Sequence, residues 1–62
     1  MEKLEDGIYI FDDEGVVSAL RIDTSDSNEN YPIQIIGSDD IFHWNDYQRW
    51  IDAGMKIIKK VY

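Results

Sequence analysis

Apolar and polar positions set the first element. Gly7-Ile8-Tyr9-Ile10-Phe11 is β-branched and aromatic, with Ile8 and Ile10 on one face and Tyr9 and Phe11 on the other. Asp12-Asp13-Glu14-Gly15 follows, and it suits a tight turn. The acids tolerate right-handed positions, and Gly15 takes the left-handed one that closes a bulged hairpin loop. Val16-Val17-Ser18-Ala19-Leu20-Arg21-Ile22 then runs back, with Val16, Ser18, Leu20 and Ile22 sharing a face. These two runs are predicted to pair as a hairpin.

Residues 24–30 are polar throughout and are expected to form a solvated loop. Tyr31-Pro32-Ile33-Gln34-Ile35-Ile36-Gly37 reads as a third strand with Ile33 and Ile35 inward. Pro32 has no amide proton, so it belongs at the strand start or on an edge. Residues 38–54 are the one helical stretch, and two starts compete. Ser38 caps a long helix with Asp39 and Asp40 in its first turn, or Asn45 caps a shorter one with Gln48 at capping-box spacing. In the shorter version Tyr47, Trp50 and Ile51 form one stripe and Gly54 is the terminator; both versions share residues 46–53. The remainder, Met55 to Tyr62, has strand composition. Met55, Ile57 and Val61 share a face, and Lys56, Lys59 and Lys60 keep an edge from indiscriminate pairing.

The order β-β-β-α-β predicts an α+β fold. A three- to four-stranded, mostly antiparallel sheet carries one helix on a face, and residues 1–62 form a single small acidic domain. At 44% apolar the chain can fold without a staple, and with no cysteine it has neither disulfides, nor a thiolate zinc site, nor a cysteine nucleophile. The longest apolar runs are about four residues against the roughly 20 of a membrane span, so no membrane association is expected. Met1-Glu2-Lys3-Leu4-Glu5-Asp6 lacks a signal-peptide pattern, which makes the cytoplasm the expected location. Ten Ile against two Leu and two Ala is the usage of an AT-rich genome, such as many phages and mobile elements have.

Charge changes the picture most. Residues 1–46 hold twelve acids and two bases (−10), residues 47–62 one acid and four bases (+3), which sum to −7. That balance opposes direct binding of nucleic acid. The acids fall in connections: Asp12, Asp13 and Glu14 in the first turn, Asp23, Asp26 and Glu29 in the long loop, Asp39 and Asp40 before the helix. Turn preference explains such placement, and so does a recognition surface. Carboxylates spaced like phosphates fit the basic groove of a nucleic-acid-handling protein, and Asp loses less rotamer entropy than Glu in holding a charge there.

Other chemistry is thin. Asp26, Asn28 and Asn30 match the start of a calcium loop, but Tyr31 stands where glycine is needed and Gly37 where a bidentate Glu is needed. His43 is the single histidine, too little for zinc, and is expected to pack between aromatics. There is no nucleophile elbow and no phosphate loop, so no catalytic residue, metal or cofactor is assigned. Phe42, Trp44, Tyr47 and Trp50 are more aromatics than one helix can bury on a small sheet. Trp44 or Tyr47 is therefore expected to be exposed as an anchor for a partner.

The expectation is a non-catalytic protein-binding module: an inhibitor with a nucleic-acid-mimicking acidic surface that blocks a basic host protein. Its contacts would be Asp12, Asp13, Glu14, Asp26, Glu29, Asp39 and Asp40, with Trp44 as apolar anchor. The alternative is a structural or regulatory subunit that self-associates or adds an edge strand to a partner through the third or last strand, with Ile58 and Tyr62.

Overall fold

The computed structural model describes residues 3–25 and 30–62. Five strands form one antiparallel sheet: β1 (Gly7–Asp13), β2 (Val16–Ile22), β3 (Ile33–Ile35), β4 (Ile41–Phe42) and β5 (Lys56–Lys60), in the order β4-β3-β2-β1-β5. With the helix α1 (Trp44–Asp52) on one face, this is the expected α+β class, with one strand more than the upper expectation. The addition is β4, whose two residues are too short to leave a periodic signal.

Pairing fixes the faces. Tyr9 opposes Leu20, Gly7 opposes Ile22, Leu20 opposes Ile35 and Ile22 opposes Ile33, so these side chains point to one side. Tyr9, Phe11, Leu20, Ile22 and Ile33 are buried there with Trp44, Tyr47 and Met55. The other side presents Ile8, Ile10, Val17 and Ala19 and has no helix over it, because the one helix of the described residues lies on the first side. Alternation along β1 and β2 thus follows the expected register, and the aromatic face is the covered one.

The first turn differs from expectation. Asp13 pairs with Val16, leaving only Glu14 and Gly15 in the loop, at φ 52° and 89°. Two central residues at positive φ form the type I′ pattern whose twist matches the strands, not a bulged loop. A bulge does occur in β5, where Phe11 faces Ile57 but Ile10 faces Lys59. The skipped Ile58 brings Lys60, not Lys59, opposite Tyr9 on the core side, so Val61 leaves the face it was expected to share with Ile57 and is exposed.

The helix begins at neither expected cap. His43 is the N-cap: its Nδ1 accepts the Asn45 amide proton at 2.9 Å, while Asp46 accepts the His43 amide proton at 3.1 Å. This is the reciprocal capping arrangement with Asp46 at N3. The end matches expectation. Gly54, at φ 112°, donates to the Ile51 carbonyl at 3.0 Å and Met55 to that of Trp50 at 2.9 Å, the paired bonds of a Schellman turn.

Candidate functional site at the hairpin end

The strand directions decide which charges meet. β1 runs up to the hairpin, β3, on the other side of β2, runs in the same sense, and β5 runs down, starting opposite Asp12 at Lys56. The β1–β2 turn, the β3–β4 connection and the last turn of α1 therefore lie at the same end of the molecule. Asp12, Asp13, Glu14, Asp39, Asp40 and Asp52 gather there, and Lys56 is the cation whose register places it with them. Arg49, the basic residue of that last helical turn, is bonded back to Asp46; counting it, six acids against two bases leave −4 on this end.

The opposite end carries acids too, but those among the described residues are matched. Glu5 lies 3.5 Å from Lys60 and Asp23 lies 3.3 Å from Arg21, and Asp46 pairs with Arg49. Asp6 accepts from the Thr24 amide at 3.2 Å and its hydroxyl at 2.7 Å. Ser25 donates its hydroxyl and its amide proton to Asp23. These Ser25 bonds, with a smaller contribution from the Arg21 guanidinium, hold the Asp23 carboxyl below its ordinary range. Exposed ion pairs of this kind add only about 0–1 kcal/mol, so their importance here is neutralisation rather than stability.

At the hairpin end the bonding differs. Asp12 accepts the Gly15 amide proton at 2.8 Å and Asp52 accepts from Gln48 at 2.8 Å. Asp13, Glu14, Asp39 and Asp40 are exposed, and their carboxylates have neither a counter-ion nor a hydrogen bond among the described residues. Asp26 and Glu29 lie outside the described residues. Five of the seven expected carboxylates thus share one end.

Trp44 does not join them. It is 5% exposed, packed edge-on against Tyr47 with ring centroids 5.7 Å apart, and Lys3 lies over its ring. Tyr47 is equally buried, so neither is a surface anchor. Phe42, on β4, meets Trp50 edge-on at 5.0 Å and both are half-buried, so none of the four aromatics is exposed. His43, expected between aromatics, touches one, Tyr31, at 5.5 Å. Its capping role was missed because histidine is not among the residues that normally signal a cap.

An apolar hollow of about 230 Å³ opens beside the acids, lined by Phe11, Ile35, Trp50 and Met55, with Asp13 as its charged group. No motif marks it. A larger open groove of about 550 Å³ lies at the far end between Ile8, Ile36 and Tyr62, beside the Arg21–Asp23 pair. Edge-strand addition through the third strand is excluded by the topology, since β3 is paired on both sides, which leaves β5 as the longer open edge. No group of three or more His, Asp or Glu placed to hold a metal ion occurs among the described residues, and none of the described helices is long and apolar enough to cross a membrane. No protein-family model matches the chain, and neither a curated protein nor a solved structure does.

Proposed function

We propose that this protein is a non-catalytic protein-binding module whose hairpin end occupies the basic, nucleic-acid-binding groove of another protein and blocks it. The observation that carries this reading is the set of carboxylates Asp13, Glu14, Asp39 and Asp40 on one end, without a counter-ion among the described residues, while the described acids of the other end, Glu5, Asp6 and Asp23, have partners. Clustered, uncompensated charge raises the local potential and steers an oppositely charged partner into place. A nucleic-acid-processing factor of a host cell is such a partner, and the composition suits a phage or mobile element.

The test is capture from host lysate on the tagged protein, eluted by stepwise salt and identified by mass spectrometry. A basic nucleic-acid enzyme released at moderate salt, and lost from an Asp13→Lys, Asp40→Lys variant, is the expected result. Asp12 is a poor position for this test, because its side chain holds the Gly15 amide and faces Lys56 across the strands. A complex that ignores salt, or binds the double variant normally, overturns the reading.

A second reading, a subunit that self-associates or adds β5 to a partner sheet, is supported by the open β5 edge with Ile58 and Tyr62 exposed. Light scattering above the monomer mass, abolished by Ile58→Pro, is its expected signature. The β5 bulge and the edge lysines oppose it.

A further inference from the structure

We propose that the hollow between the helix C-terminus and the hairpin receives a single arginine side chain of the basic partner; this rests on the reading of the acidic end as the partner-binding surface. The helix stops at Asp52 and the chain enters β5 opposite Asp12, while β1 and β2 end on the core face at Asp13 and Val16. The Schellman turn then folds Met55 inward beside Trp50, and Phe11 and Ile35 complete an apolar floor. Its volume of about 230 Å³ is below the ~300–1,000 Å³ of small-molecule sites. At roughly 30 Å³ per water it displaces about eight waters, the scale of one long side chain.

The electrostatics select a cation. Asp13 lines the hollow without a counter-ion among the described residues, and the helix directs the negative end of its dipole toward it. Nearby cations of the chain itself are turned elsewhere. Arg49 is bonded to Asp46 toward the helix start, and Lys56 opposes Asp12 on the other face of the sheet.

Among cations, the lining selects arginine. A guanidinium is weakly hydrated, stacks on aromatic faces such as Trp50 and Phe11, and presents a planar fork to a carboxylate. An ammonium is a strongly hydrated point charge and loses more on entering an apolar floor. A neutral apolar side chain would crowd water from Asp13 and offer it no partner.

The test is a two-dimensional NMR titration of the full chain with acetyl-Gly-Arg-Gly-amide, and with the Lys and Met peptides of the same design. Trp50 indole and Met55 methyl signals should shift with the Arg peptide, while the Trp44 indole, buried at the far end, stays in place. Asp13→Asn should weaken binding about five-fold, the scale of one exposed ion pair, and Asp39→Asn should change it less. Unmoved Trp50 and Met55 signals overturn the proposal, as does a Lys or Met peptide that binds as tightly. Should the Arg peptide shift only the Asp39 and Asp40 amides, the arginine site falls and the acidic-surface reading survives. Should it fill the hollow while lysate capture yields no salt-released partner, the site survives and the inhibitor reading falls.

Discussion

Asp12 Oδ1 accepts the amide proton of Gly15 at 2.8 Å, and the turn it braces holds Glu14 at φ 52°, the one non-glycine residue at positive φ among those described. A side chain with a Cβ loses about 1–2 kcal/mol in that region, and asparagine loses least after glycine. Type I′ turns accordingly favour Asn-Gly at their centre. Glu14→Asn should raise stability by about 0.5–1 kcal/mol, read as a higher thermal midpoint. A lowered midpoint would show that the Glu14 carboxylate contributes something the turn geometry does not explain.

The helix start provides a second test. His43 Nδ1 accepts from Asn45 and its amide donates to Asp46, so the ring satisfies one of the orphan amides of the first turn. His43→Ala should cost about 1 kcal/mol in urea unfolding, and His43→Ser should recover most of it. Both variants lose the edge contact with Tyr31, so their difference isolates the cap.

How much of this was legible before the structure depends on the length over which a signal repeats. Seven-residue β1 and β2 each carry several alternations, and their hairpin and faces read directly from the sequence. Two-residue β4 has none, yet it sets Phe42 opposite Ile33 and edge-on to Trp50. The β5 bulge moves Lys60 to the face that strict alternation gives to Val61. Charge asymmetry was visible along the chain, but its gathering at one end depends on strand order, which sequence spacing does not encode. That order puts Asp39 and Asp40 with the hairpin acids and separates Asp6 and Asp23 from them.

Asp23 gives the third prediction. Its carboxyl titrates below the ordinary value of 3.8 because Ser25 donates to the charged form, first through its hydroxyl and then through its amide, with Arg21 adding attraction. A depressed folded-state pKa contributes stability above the unfolded value, and that contribution is lost as pH falls through the folded one. Carboxyl-detected NMR should place its midpoint below 3.8, and Ser25→Ala should move it upward. An unchanged midpoint would remove Ser25 as the cause.

Trp44 separates the packing account from the surface-anchor account most sharply. At 5% exposure, against Tyr47 and under Lys3, its indole is part of the core, and truncation should cost about 3–5 kcal/mol. A single core of 62 residues supplies about as much in total, so Trp44→Ala should leave the chain largely unfolded, with its near-ultraviolet circular dichroism lost. Tyr62 is the converse case: at 86% exposure its ring is in solvent, and Tyr62→Ala should shift stability by no more than about 0.5 kcal/mol. A Trp44→Ala protein that keeps its fold and loses only partner binding would reverse this assignment. It would return Trp44 to the interface, with the acidic end as its flank.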